Sequence, residues 1–243
     1  PGVEVNSTRS VLGGNVLSEP RTISLVAEFI YMPTTHSAEK LREVYSEVCR
    51  TCGYENFTRI QGGARIEARE TDGTGFSQLN VMADRVQLIE DHTGISVEQF
   101  GKKIVEALSI VLSAINVPVL LVQQNKVRVT TTPSRYKTAS DFLARSVFKF
   151  QSEQLEPLGR PNSVGGFRMA FPGTTQNPEA FNVRIESYVR DPRALYIENV
   201  GTFKSPLQQA TLGEVETRLR LCSEFIGENV FEFLSLYDRG ESE

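Results

Sequence analysis

An internal repeat constrains this chain more than any single motif, because a duplicated unit must solve the same burial problem twice. Gly62-Gly63-Ala64-Arg65-Ile66-Glu67-Ala68 reads against Gly165-Gly166-Phe167-Arg168-Met169-Ala170-Phe171 at an offset of 103. Leu88-Ile89-Glu90-Asp91 reads against Tyr196-Ile197-Glu198-Asn199 at 108, and Pro33-Thr34-Thr35 against Pro133-Ser134-Arg135 at 100. The matches keep their order, and the offsets drift only by loop lengths. The chain therefore divides into an N-terminal arm (1–24), a first unit (25–116) and a second unit (117–243), the two units packed as one domain.

Both units show the same order of elements. In the first, Leu25 to Tyr31 is rich in branched and aromatic residues and reads as a strand. Ser37 caps a helix that places Leu41, Tyr45, Val48 and Cys52 on one face and closes at Gly53. Phe57 to Ala68 is extended but interrupted by Gly62-Gly63. The Asp72-Gly73-Thr74-Gly75 turn leads into strands at Phe76–Met82 and Arg85–Glu90. Ser96 then caps a helix with Val97, Phe100, Ile104, Leu108, Val111 and Ile115 at spacings of three and four.

In the second unit Val119 to Thr131 is extended, and a helix follows from Thr138 to Phe148. Strands cover Phe167–Phe171, Phe181–Val189 and Ala194–Val200. The last helix, about 211–236, carries the stripe Leu212, Val215, Leu219, Cys222, Ile226, Val230 and Phe233. Each unit is thus β-α-β-β-β-α. Joining the free strand edges of two such units buries them in one larger antiparallel sheet with helices packed on one face, an α+β architecture.

Composition narrows the class. No apolar run reaches the ~20 residues of a membrane span, so a membrane partner is not expected. PGVEVNSTRS has neither the basic nor the apolar region of a secretory leader. With an odd number of cysteines (Cys49, Cys52, Cys222), that points to a reducing compartment, the cytoplasm. The net charge of −4 argues against a nucleic-acid partner. Charge is uneven, however: residues 126–168 hold 8 basic side chains against 3 acidic, a balance of +5.

Catalytic signatures are sparse. Cys49-Arg50-Thr51-Cys52 has redox-pair spacing but sits at a helix C-terminus, where the dipole raises a thiol pKa rather than lowering it. A zinc site would need two more ligands than that pair supplies. No metal and no cofactor is expected. Glu90, Asp91 and His92 cluster at a strand end, where a histidine beside carboxylates has the chemistry of a general base. Arg160, in an insertion present in one unit only, and Arg168, at the start of a strand, are candidates for an anion or partner contact. The last helix is wider in apolar surface than one sheet contact needs, with Phe225, Phe231 and Leu234 outside its main stripe, so these three are candidate interface residues.

These features point to a non-catalytic binding or assembly module, associating with itself as a homodimer or with another protein. Two alternatives stay open. One is a small-molecule binder or enzyme with its site between sheet and helices. The other is a nucleic-acid-binding saddle using the free sheet face through Arg128, Arg168 and Arg184.

Overall fold

A computed structural model describes residues 17–71, 73–160 and 163–238. Most of the N-terminal arm, Asp72 of the first turn, and Pro161 and Asn162 of the insertion lie outside the described residues.

The chain runs β1 (Arg21–Ile30), α1 (Ala38–Cys52), β2 (Asn56–Ile60), β3 (Gly63–Arg69), β4 (Phe76–Val81), β5 (Arg85–Asp91), α2 (Val97–Ile115) and β6 (Val122–Thr131). Next come α3 (Ala139–Phe142), a π-helical turn (Leu143–Val147), α4 (Ser152–Leu155), β7 (Gly166–Phe171), β8 (Ala180–Ser187) and β9 (Leu195–Phe203). The last helix is α5 (Glu214–Glu224), a second π-helical turn (Phe225–Val230) and α6 (Phe231–Asp238).

The nine strands of the described residues form one antiparallel sheet in the order β2-β3-β4-β5-β1-β6-β9-β8-β7. Outward from the central β1–β6 pair, both sides meet strands in descending chain order. The first unit has one strand more than its sequence pattern suggests. The Gly62-Gly63 interruption is a reversal, so the extended run splits into β2 and β3 instead of bending once. The arm also ends earlier than position 24: β1 begins at Arg21, and Leu17 already bridges to Pro133.

The helix caps behave as the sequence implies. Ser37 accepts from the Lys40 amide, and Gly53 closes α1 in the left-handed region at φ 73°. Ser96 and Gln99 form a reciprocal capping box on α2, and Asn116 ends it at φ 55°. On α2, Phe100, Ile104, Leu108 and Val111 have no solvent exposure. Each such side chain contributes about 1.5–3 kcal/mol of transfer free energy.

The glycine repeat has a steric cause. A Cβ on Gly63 would stand 1.9 Å from the Val81 carbonyl oxygen, and one on Gly166 would stand 2.2 Å from that of Ile185. Neighbouring backbone leaves room for nothing larger at either strand start.

Two expectations shift in the second unit. The helix expected over Thr138–Phe148 begins as α, capped by Thr138, but turns π after Phe142. In the last helix the buried apolar positions are Val215, Leu219, Cys222, Ile226, Val230 and Leu234. Three successive spacings of four outrun an α-helix, and the wider π turn takes up the extra residue. The buried stripe therefore moves from Phe233 to Leu234, which has no exposure and cannot serve as an interface residue. Phe225 and Phe231 are half-buried against the core.

Candidate functional site

Strand pairing aligns side chains into rows across the sheet. One polar row runs Phe76, Asp91, Ser24, Arg128, Glu198, Arg184 and Arg168, crossing β4, β5, β1, β6, β9, β8 and β7. A second runs Thr58, Arg65, Asn80, Gln87, Glu28, Gln124 and Thr202 from β2 to β9. These residues alternate along their strands with buried ones such as Leu25, Ala27, Val127 and Ile197, and so share the face opposite the core.

The rows are wired together. Asn80 Nδ2 donates to Gln87 Oε1 (3.1 Å), and Gln87 Nε2 donates to Glu28 Oε2 (3.0 Å). Arg128 Nε donates to Glu198 Oε2 at 2.7 Å, and the Tyr196 hydroxyl donates to the same oxygen at 3.2 Å. Arg184 lies over the Tyr196 ring, 5.0 Å from its centroid, and Tyr196 stacks on Tyr188. Burial would push the Glu198 carboxyl up, but the Arg128 hydrogen bond and the charges of Arg128 and Arg184 hold it below its ordinary value.

The network is incomplete at the β8–β7 end. Arg184 Nε is shielded from solvent without a hydrogen-bond partner, standing 3.5 Å from Glu186 and 3.8 Å from Glu198. Directly opposite stands Arg168, a second cation. Two guanidinium groups facing each other across a ladder disfavour the bare sheet and suit an added acceptor.

Alternation along β5 sends Glu90 away from Asp91 and His92, while His92 Nδ1 stays 3.6 Å from Asp91 Oδ2. Glu90 points to the core, 3% exposed, accepting from Ser77 Oγ at 2.6 Å and Lys103 Nζ at 2.8 Å. Asp91 lies in the polar row. The repeat match of Glu90 with Glu198 therefore pairs residues on opposite faces of the sheet, whereas the Gly62 match keeps Ala64 and Phe167 against the core.

His92 turns into the left-handed region at φ 54°. Its Nδ1 lies 2.9 Å from the Ile23 carbonyl oxygen, which only accepts, so the ring proton sits there. Its Nε2 lies 3.1 Å from Arg190 Nη1, which only donates, so that lone pair is occupied. Both nitrogens are engaged and a general-base role has no free atom. Arg190 belongs to a turn whose sequence shows only the turn. Around this contact lies a cleft of about 530 Å³, lined by Ser18, Thr22, His92, Thr130, Thr132 and Tyr188 among others.

Arg160 is exposed after the turn that follows α4. Cys49 and Cys52 are free thiols raised above their ordinary pKa, chiefly by burial. Burial pushes the Cys222 thiol up to about 12. Among the described residues no group of three or more His, Cys, Asp or Glu is placed to hold a metal ion, and no helix is long and apolar enough to cross a membrane.

No protein-family model matches the chain, and no curated protein sequence is significantly similar to it.

Proposed function

We propose that this protein is a non-catalytic binding and assembly module. In this reading two related halves share one sheet, helices cover one face, and the polar opposite face meets a partner, in the first instance a second copy of the chain. The observation that carries the reading is the seven-strand row ending in Arg184 and Arg168, which holds more cation than its own carboxylates neutralise. Outside that row the face also carries Glu28, Glu67 and Glu186, so a copy related by a two-fold axis can match opposite charges, while a nucleic acid would meet both signs. The halves' shared outward strand order and the Gly63 and Gly166 constraints support duplication as their origin.

Native mass spectrometry of the purified protein at moderate salt tests this. A dimer mass that falls to monomer in Lys126→Glu, a charge reversal in the middle of the face, is the expected result. A bare monomer at micromolar concentration overturns self-association. A second reading, a small polar ligand in the hydroxyl-lined cleft at His92, is favoured instead by a mass excess that disappears on denaturation.

A further inference from the structure

A separate site lies at the other π turn, away from the polar rows. A cleft of about 510 Å³ is lined by Tyr136, Arg145, Ser146, Lys149, Phe150 and Tyr237, with Gln151 and Leu236 at its margin. That volume falls within the roughly 300–1,000 Å³ typical of small-ligand sites. We propose that this cleft binds a flat aromatic group carrying an anion, either carboxylate or phosphate.

The walls of the cleft are the two ends of an aromatic chain. Phe150 stacks on Phe148 with centroids 5.2 Å apart and planes within 5°. Phe148 meets Phe167 edge-on, Phe167 meets Phe233, and Phe233 meets Tyr237. The rings brace one another, so the cleft is pre-shaped, and Phe150 remains 41% exposed at its mouth. A ring held this way offers a stacking surface without an ordering cost at the moment of binding.

The cations come from the π turn and the residues just after it. The wider turn carries Arg145 and Ser146, and Lys149 follows in the left-handed conformation at φ 51°. A β-carbon-bearing residue held there signals a constrained local path. Arg145 has one distant carboxylate, Asp141 at 3.9 Å, which already accepts from Thr138 Oγ1 at 2.7 Å. The Ser146 hydroxyl is hydrogen-bonded to Tyr136 OH inside the cleft. Among the described residues no acidic side chain lines it. Cations and aromatic rings lining one cleft are the arrangement that selects an aryl anion over either half alone.

The test is titration of the intact protein with phenyl phosphate and benzoate by calorimetry, with inorganic phosphate and phenol as the separate halves. One aryl anion should bind at least about tenfold more tightly than either half, and the better of the two identifies the anion. Arg145→Glu should abolish that binding, and Phe150→Ala should reduce it about tenfold while leaving residual anion binding. Arg193→Glu, on a distant turn, should leave it unchanged. All three side chains are exposed or at a rim, and unchanged melting temperatures confirm intact folds. No binding of either aryl anion up to about 10 mM, or equal binding by Arg145→Glu, overturns the proposal.

Discussion

The two halves of the sheet carry helices of different character. In the first, α1 and α2 are regular, capped at both ends, and α2 runs for 19 residues without interruption. In the second, the helix after β6 and the helix after β9 both break into a π turn. Each π turn contributes walls to a cleft: Arg145 and Ser146 to one, and Phe225, Glu228 and Asn229 to another of about 400 Å³ beside Phe171. A regular helix spends its apolar stripe on the core. A π turn holds that stripe in place while re-aiming the residues around the extra position, so the second half keeps its core and gains recesses.

That contrast breaks most visibly under deletion. Removing Glu106 from α2 rotates Leu108, Val111, Leu112 and Ile115 by about 100° away from the sheet. The expected loss is on the order of 6 kcal/mol, read as failure to give a cooperative melt. The same operation at Gly227, in the π turn, restores spacings of four and three on both sides of the deletion. It should cost no more than about 1 kcal/mol in chemical denaturation. A large loss there would show that the π turn is required by packing.

Polar burial differs between the halves as well. In the first half Ser77, Glu90 and Lys103 form a buried charged cluster, and Lys103 also lies over the Tyr54 ring at 4.6 Å. In the second half the corresponding layer is amide: Gln123 donates to Asn125 and to the Val215 carbonyl, and Asn199 donates to that of Cys222. Glu90→Ala strands the Lys103 charge and should cost about 3–5 kcal/mol. Pairing Glu90→Gln with Lys103→Met should recover most of that, measured by urea unfolding.

On the exposed face the effects are smaller and depend on pH. Glu198→Gln should cost about 2 kcal/mol at neutral pH, since it removes a charge-assisted partner from Arg128. The folded-state pKa of Glu198 is depressed, so its contribution is complete above the ordinary glutamate value near ~4.3. It is lost as pH falls through the lower folded value. The stability gap between wild type and Glu198→Gln should therefore close in acid; a gap that widened there would contradict the ion-pair account.

Much of this architecture is legible in the residues, because caps, turns and α2's spacing are local. Ser37, Gly53, Ser96 and Asn116 each act within a few positions of themselves. The π turns were not legible as such, although the run Cys222, Ile226, Val230, Leu234 carries the signature: three consecutive apolar spacings near four. The site was less accessible. Asp91 and Arg168 share a row only because β1, β6, β9 and β8 lie between β5 and β7, a pairing no local pattern states. Glu90 looked like part of a surface cluster with its neighbours, yet alternation sends it to the core, where Lys103 sits 13 positions away in sequence. Arg190 reaches His92 across 98 positions, and a turn sequence alone gives no sign of it.

The claim that a second copy covers the polar face is tested most directly by hydroxyl-radical labelling over a range of protein concentrations. Tyr188 and Tyr196 report on that face, and Tyr45, on α1, reports away from it. Labelling of Tyr188 and Tyr196 should fall as concentration rises while that of Tyr45 holds constant. Rates at all three tyrosines that do not change with concentration would contradict the account.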